Sequence, residues 1–457
     1  MQDESPGLLP RLRGHVVETI RLAVPVVITR AGVMAMAVVD TAMLGRTEIE
    51  QVAFYGISIA PFVVVIVAGI GLMFGTVVAT SHAVGRGMLT ECGAIWRRSL
   101  PYALLLGAAG FAVCQCGEAL FILTGQPAAI SEGGGRVIAI LGIGMPGTLL
   151  YCTTAFFLEG LRRPVPAMFV MIAANLMNVL LNWLLVFGNG GFPALGAEGA
   201  AWSTAAVRLF MAAILMTYVW WMPDRDRYAV RGPIERHWWR KSRQQRKYGY
   251  AAGAGFVIEE SALAAISFFA GVMGALSLAA YTLQNIAFAF VYMAGLGVAA
   301  ATGVRVGIAH GAGDWSNRAM AGWTGLGLVT VMLGGIALVF LVKPDWVAVM
   351  FTDDPVLVAA AAPLIVLSAV AILSDGARVV MASALRGAAE VWSPPIIEAI
   401  AYYPVMLPLA GVLAFTLGMG VRGLVLAIIA ASVVSAALLV LRFRLISRRL
   451  QPTGPAL

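Results

Sequence analysis

Residues 320–342 read MAGWTGLGLVTVMLGGIALVFLV and contain no charged side chain. An α-helix rises 1.5 Å per residue, so this stretch would form a helix about 35 Å long. The hydrocarbon core of a bilayer is about 30 Å thick. The stretch is therefore long and apolar enough to cross a membrane, and it predicts a transmembrane helix.

Comparable apolar runs recur along the whole sequence. Hydrophobic residues make up 60% of the 457 residues and charged residues 12%, whereas about a quarter of a soluble domain is charged. Strands of a membrane β-barrel alternate over only about ten residues, so the long runs exclude a barrel. The sequence predicts an all-α integral membrane protein with twelve transmembrane helices, near residues 17–42, 52–79, 99–123, 137–157, 165–188, 197–221, 248–272, 278–303, 320–342, 356–381, 394–416 and 421–441.

Lys and Arg are concentrated in every second connection between these predicted helices. The remaining connections hold only four basic residues, which are Arg46, Arg136, Lys343 and Arg422. Cytoplasmic loops of membrane proteins carry an excess of Lys and Arg. We therefore expect both termini to lie in the cytoplasm, which requires an even number of spans.

The segment 222–247 carries nine Lys and Arg residues, with Trp238 and Trp239 among them. We interpret it as a basic cytoplasmic linker that lies on anionic lipid headgroups, and a partner-binding site is the alternative. The formal charge of +8 does not indicate a nucleic-acid partner, because no basic stripe alternates with stacking aromatic residues on a soluble domain. The partner that we expect is the lipid bilayer.

An internal repeat divides the chain. Residues 83–87 (AVGRG) match residues 309–313 (AHGAG) at an offset of 309 minus 83, or 226. Residues 161–162 (LR) match residues 385–386 at an offset of 385 minus 161, or 224. Two matches at nearly one offset indicate a duplicated unit, a common construction in transporters.

The repeat predicts two six-helix bundles, one at residues 15–221 and one at residues 248–450, joined by the linker 222–247. Six spans return the chain to the side of the membrane from which it started. Both bundles therefore enter the membrane in the same orientation, which defines a parallel repeat.

Carboxylates inside a membrane are costly, by roughly 2.5 to 3.5 kcal/mol on insertion scales, so each needs a partner or a function. Glu259 lies 12 residues beyond Lys247, and Asp375 lies 11 residues before Arg386. Both are thus near mid-membrane. At one depth they could bind Na⁺ through oxygen ligands or share protons. Alternatively, Asp375 merely pairs with Arg378 and Glu259 is a neutral, hydrogen-bonded acid.

The first half contains its own intramembrane acid, Asp40, which could be a second group that binds a cation or proton or an ion-pair partner of Arg30. In the fifth predicted span, Asn178 and Asn182 are four residues apart and lie on one helix face. They could belong to an ion-coordinating polar network or hold helices together.

Two further glutamates have less distinctive settings. Glu260 points about 100° away from Glu259 around the helix, so the two cannot both face one ligand. Glu260 is, like Asn178 and Asn182, a candidate for a polar network. Glu159 is near Arg162 and Arg163, and we expect an ordinary surface ion pair there. Neither the four cysteines nor the four histidines form a pattern typical of a metal site or a catalytic centre, so we expect neither an enzyme nor a cofactor.

Several motifs resemble the multidrug and toxic compound extrusion (MATE) family, and the resemblance covers essentially the whole chain. They are residues 39–41 (VDT), 196–200 (GAEGA), 305–307 (RVG), 374–375 (SD) and 384–387 (ALRG). The combination of acids is similar to the NorM-like branch of the family. The doubled acid Glu259-Glu260 departs from the family pattern.

The resemblance implies that Glu259 and Asp375 form a cation site in the second half, a metal site if the coupling ion is Na⁺, and that Asp40 is a proton or cation site in the first half. It implies a monomeric antiporter of the inner membrane that exports amphipathic, cationic drugs or metabolites in exchange for Na⁺ or H⁺. A lipid-linked precursor flippase of the same superfamily is the alternative.

Overall fold

The computed structural model describes the backbone of residues 8–449 and the side chains of residues 12–448. Within that range the chain forms twelve long helical segments. They are α1 (Leu8–Leu44), α2 (Ile49–Gly85), α3 (Leu89–Cys114 continued by Gly117–Leu123), α4 (Ala128–Gly160), α5 (Val165–Leu185), α6 (Gly196–Trp221), α7 (Arg243–Val272), α8 (Ala275–Gly311), α9 (Trp315–Val342), α10 (Pro355–Gly387), α11 (Ser393–Thr416) and α12 (Val421–Arg449).

Eleven of these segments are individually long and apolar enough to span a membrane. The two parts of α3 are bent by 43° and meet the same criterion as a pair. The protein is thus a multi-pass membrane protein, and the predicted all-α architecture with twelve spans is confirmed. Short helices at Trp238–Lys241 and Pro344–Val349 lie in connections.

The helix boundaries repeat along the chain. Both ends of α2 and α8 are related by 226 residues, since 275 minus 49 and 311 minus 85 give the same number. Both ends of α4 and α10 are related by 355 minus 128, or 227. The sequence repeat therefore corresponds to a repeat of secondary structure.

The unusual backbone positions repeat at the same offset. Gly87 and Gly313, which follow α2 and α8, have φ angles of 73° and 70°. Arg162 and Ala389, which follow α4 and α10, have φ angles of 60° and 65° although neither is glycine. Left-handed backbone is uncommon for residues with a β-carbon. Equivalent turns thus end equivalent helices in the two halves.

Packing divides the chain into two compact units. One unit contains Ile28–Gly253, and the other contains the described residues up to Val27 together with the described residues from Ala254 onward. Helix α1 contributes to both units, and Pro25 lies within it. The bundles predicted at residues 15–221 and 248–450 follow the sequence repeat, and their boundaries stay a prediction.

Within each unit, one helix of the repeat is enclosed by its neighbours. Helix α10 packs against α8, α9 and α12, and α4 packs against α3 and α6. Buried residues of α10 include Asp375 and Arg378. The fold therefore puts ionisable side chains at positions where only other side chains can compensate their charge.

Candidate functional site

Asp40 is the centre of a polar cluster in the unit Ile28–Gly253. Its side chain lies on α1 and is 2% exposed. Oδ1 accepts hydrogen bonds from Asn178 Nδ2 at 3.0 Å and from Asn182 Nδ2 at 2.6 Å. Oδ2 accepts from the Tyr55 hydroxyl at 3.0 Å and from Thr204 Oγ1 at 2.9 Å.

Three helices besides α1 supply these donors. Tyr55 is on α2, Asn178 and Asn182 are one turn apart on α5, and Thr204 is on α6. Both amides are fully buried. Four hydrogen bonds from neutral donors are enough to hold a buried carboxylate in place, because each bond to a charged acceptor is worth about 1.5–3 kcal/mol.

Arg208 brings a positive charge to the same unit. It lies four residues after Thr204 on α6, and its guanidinium stacks over the Phe62 ring at 4.7 Å. Among the described side chains, Arg208 Nη1 is a buried donor without a hydrogen-bond partner. The charge of Arg208 is thus stabilised by the face of an aromatic ring on α2.

Asp40 does not pair with Arg30, which was the alternative that the sequence left open. Arg30 lies beside Glu159, with Nη2 4.0 Å from Oε1, and over the Phe156 ring at 5.6 Å. Glu159 is 7% exposed, so the surface pair that we expected with Arg162 or Arg163 is wrong. The glutamate points into the unit because its partner is on α1, far from it in sequence.

A second cluster surrounds Arg378, in the unit that contains residues from Ala254 onward. The Arg378 side chain is 1% exposed and binds three carboxylates. Nε lies 2.5 Å from Asp375 Oδ1, Nη2 lies 2.5 Å from Glu259 Oε1, and Nη1 lies 3.2 Å from Glu398 Oε1.

Polar side chains extend this cluster on two sides. The Tyr292 hydroxyl donates to Glu259 Oε1 at 3.3 Å, and Arg378 Nη2 donates to the same hydroxyl at 3.2 Å. On the far side, Arg386 Nη2 is 3.8 Å from Glu398 Oε2. Three carboxylates thus face two guanidinium groups, which leaves one negative charge in excess if all are ionised.

The structure places Glu259, rather than Glu260, in the cluster. Glu259 is 16% exposed and bonds to Arg378. Glu260 is partly buried, and within the described part of the chain it makes no ion pair. The pair of Asp375 and Arg378 that we considered as an alternative is present. However, the same arginine also joins Glu259 and Glu398, so the contact belongs to a larger network.

Metal coordination is restricted by Arg378. In residues 12–448, no group of three or more His, Cys, Asp or Glu side chains has an arrangement that could hold a metal ion. The guanidinium nitrogens lie 2.5 Å from the nearest oxygens of both Glu259 and Asp375. A sodium ion between these two carboxylates would therefore compete with a fixed positive charge for the same oxygens.

Several members of the two clusters were not predicted as site residues from the sequence. Tyr55, Thr204 and Tyr292 are common residue types in membrane helices, and nothing in their spacing marks them. Glu398 is an acid inside an apolar run, the kind of position that is costly without a partner, and it was noted as such but was not assigned to a site. Its neighbours in space come from α10, which the sequence alone does not place next to α11.

Comparison with known families gives a match over both halves of the chain. The MatE family model matches residues 25–184 and 252–412. The two matched segments begin 252 minus 25, or 227, residues apart. This offset agrees with the offsets of the helix boundaries.

Two bacterial relatives are similar over nearly their full length. A Caulobacter vibrioides protein named "Probable multidrug resistance protein NorM" is 37% identical, and the match covers 97% of this chain and 95% of the relative. A Mesorhizobium japonicum protein of the same name is 30% identical, with 94% of each chain covered.

Solved structures share the fold. The eukaryotic MATE transporter AtDTX14 matches with a TM-score of 0.87 at 17% identity, covering 96% of this chain and 98% of that structure. A MATE structure described as being in the bent conformation matches with a TM-score of 0.84 at 19% identity, covering 97% and 98%. These likenesses show a common arrangement of helices.

Proposed function

This chain belongs to the MATE family of membrane transporters, and from that premise we propose that it is a proton-coupled antiporter that exports amphipathic, cationic drugs or metabolites. The observation that carries the proposal is the cluster around Arg378, where Glu259, Asp375 and Glu398 share one guanidinium. Such a group of acids can bind or release one cation while Arg378 stays paired with a carboxylate, so no unpaired charge is left in the membrane.

The geometry supports a proton over a sodium ion. A proton needs only one carboxylate oxygen, and Glu259 Oε2 is 3.5 Å from Arg378 Nη1, so it is weakly engaged. Sodium needs several oxygen ligands at once, and Arg378 already binds one oxygen of Glu259 and one of Asp375. Protonation of one acid would weaken its bond to Arg378 and change the balance of the whole network.

Asp40 is the second proposed coupling group, and it lies in the other unit. Its four donors are neutral, so the carboxylate is solvated by dipoles and its proton would not need to displace an arginine. Protonation would remove the charge that these donors hold in place. A proton can shift the equilibrium between two conformations only if it binds them with different affinity. Such a difference arises where the charge of Asp40 holds the four donors in one conformation and protonation removes that charge.

The substrate class follows from the names of the relatives and from the local charge. Both bacterial relatives are named multidrug resistance proteins. The excess carboxylate beside Arg378 favours a cationic solute over an anionic one, since the two unlike charges attract in a medium of low dielectric constant. We place the transporter in the bacterial inner membrane with both termini in the cytoplasm, as the distribution of Lys and Arg supports.

Transport in reconstituted vesicles tests the coupling ion. A fluorescent amphipathic cation is followed under an imposed proton gradient without sodium, and under an imposed sodium gradient at equal pH on both sides. We expect the proton gradient alone to drive transport. Transport driven by the sodium gradient alone would overturn proton coupling and leave the antiporter proposal intact.

Substitutions in the cluster test the site. We expect Glu259→Gln and Asp375→Asn to reduce gradient-driven transport by roughly tenfold or more, the usual size of a coupling free energy. Glu260→Gln is the matched control, because Glu260 is adjacent in sequence and makes no ion pair in residues 12–448. Normal transport by both cluster variants, with correct insertion, would exclude these acids as coupling groups.

A further inference from the structure

A cavity at the start of α7 is lined almost entirely by basic side chains. Its volume is about 570 Å³. The lining residues are Arg240, Lys241, Arg243, Gln244, Arg246, Lys247 and Tyr250. All of them lie within the unit Ile28–Gly253. Five cations around one cavity repel one another, so an anion bound between them would relieve this repulsion.

Protein carboxylates supply little of that compensation. Lys241 Nζ is 2.9 Å from Glu235 Oε2, and this contact lowers the pKa of the Glu235 carboxyl. The side chains of Arg240, Arg243 and Lys247 are exposed, and among the described residues none of them has an acidic partner within 4.0 Å. Four of the five cations therefore have no neutralising group in this part of the chain.

Arg246 is fixed in the wall of the cavity. It is 7% exposed, and its guanidinium lies over the Trp239 ring at 3.7 Å. Nη1 donates to the Trp239 carbonyl and, at 2.5 Å, to Ser242 Oγ, whereas Nε is buried and has no partner among the described atoms. A buried guanidinium with an unused donor costs free energy unless a ligand accepts from it.

The position of the cavity matches the headgroup level of a bilayer. Helix α7 has 30 residues and is about 45 Å long, whereas the hydrocarbon core is about 30 Å thick. Lys247 is the last Lys or Arg of this helix. Tyr250 lines the cavity and Trp239 packs against the Arg246 guanidinium. Both rings are exposed, and such aromatic side chains are typical of the membrane interface.

We infer that this cavity binds the phosphate diester of an anionic phospholipid, with phosphatidylglycerol as the simplest example. Arginine forks match phosphate oxygens with two parallel hydrogen bonds, and a headgroup at this depth would be held between the cations and the aromatic rings. The cavity shares no lining residue with either carboxylate cluster, so this inference does not rest on the proposed transport function.

Native mass spectrometry of the full chain in detergent tests the site, with phosphatidylglycerol or phosphatidylcholine added as the probe. We expect one phosphatidylglycerol molecule to be retained in preference to phosphatidylcholine. The triple variant Arg240→Gln, Arg243→Gln, Lys247→Gln should lose roughly a hundredfold in affinity, because each basic residue near an anionic lipid contributes on the order of fivefold. Equal retention of both lipids by the wild type would overturn the inference.

The control variant removes the same number of charges from the same connection but outside the cavity. It carries Arg225→Gln, Arg227→Gln and Arg231→Gln, none of which lines the cavity. We expect it to retain phosphatidylglycerol as the wild type does. Equal loss in both triple variants would show diffuse attraction rather than a site.

Two further measurements keep the test decisive. Gln244→Glu puts a negative charge on the cavity wall without removing a basic residue, so it should weaken phosphatidylglycerol binding even if the triple variant folds poorly. Inorganic phosphate at millimolar concentration should not displace the lipid. Displacement by inorganic phosphate alone would show a site for free phosphate and overturn the lipid assignment.

Discussion

The two carboxylate clusters solve one electrostatic problem in different ways. Asp40 is surrounded by two amides and two hydroxyl groups, which supply partial charges. Asp375 is bound to a full opposite charge on Arg378. A carboxylate held by dipoles can be neutralised without leaving an unpaired arginine, whereas neutralising an acid beside Arg378 redistributes the remaining bonds of that arginine.

This difference predicts separate effects of the two sites. Asp40→Asn fixes the first cluster in a neutral state, so we expect coupled export to be lost while the second cluster still responds to pH. Substrate affinity measured against pH should lose one step in the variant. On the acid side of that step, the affinities of variant and wild type should agree.

Asn175→Ala is the matched control for Asp40→Asn. Asn175 lies one turn from Asn178 on α5, but its amide donates to the Met171 carbonyl of its own helix. It should therefore leave the pH profile unchanged. An unaltered profile together with normal export in Asp40→Asn would mean that Asp40 has only a structural role.

At the scale of helices, close packing of α8 against α10 explains a glycine in one of the family-like motifs. A β-carbon on Gly387 would lie 2.4 Å from the Gly303 carbonyl oxygen and 3.1 Å from the Gly307 nitrogen. These are backbone atoms, so the neighbour cannot yield by a side-chain rotation. The glycine allows the two helices to approach beside the segment that carries Arg378 and Arg386.

We therefore expect Gly387→Ala to destabilise the protein by about 1–3 kcal/mol, as overpacking usually does. The measurement is the thermal unfolding midpoint in detergent. Gly335→Ala on α9 is the control, because nothing lies within 4 Å of a β-carbon at Gly335. An alanine there should be neutral or stabilising by up to about 1 kcal/mol. Equal midpoints for both variants would contradict the packing argument.

At the scale of the whole molecule, the repeat and the charge asymmetry together predict the topology. Helices of equal length recur at offsets of 226 and 227 residues. Each is six spans from its counterpart, and an even number of spans means that the two halves enter the membrane in the same direction. The connection at residues 124–127 should then lie outside the cytoplasm, and the linker 222–247 inside it.

Cysteine labelling with a membrane-impermeant reagent tests this topology in a Cys116→Ser background, since Cys116 is the exposed native cysteine among those described. Gln126→Cys should react in intact cells. Asp226→Cys, at a side chain that is 84% exposed, should react only after the membrane is permeabilised. The reverse pattern would show that the orientation is wrong.

The sequence by itself determined the class, the number of helices and the duplication. Each span must satisfy the bilayer independently, so a local apolar run such as residues 320–342 is sufficient to identify a helix. The same constraint exposed Asp40, Glu259 and Asp375, because an acid is conspicuous in an apolar run. Whether those acids couple transport stays a prediction.

Only the tertiary structure decided which groups surround those acids. Asp40 accepts from Asn178 and Thr204, 138 and 164 residues away, and Glu259 binds Arg378 at a separation of 119 residues. Hydropathy indicates which segments lie in the membrane, but it does not specify which helices are neighbours. Partner choice depends on packing and on hydrogen-bond geometry across helices. From the sequence an ion pair of Asp40 with Arg30 therefore stayed open, whereas in the structure Arg30 lies beside Glu159.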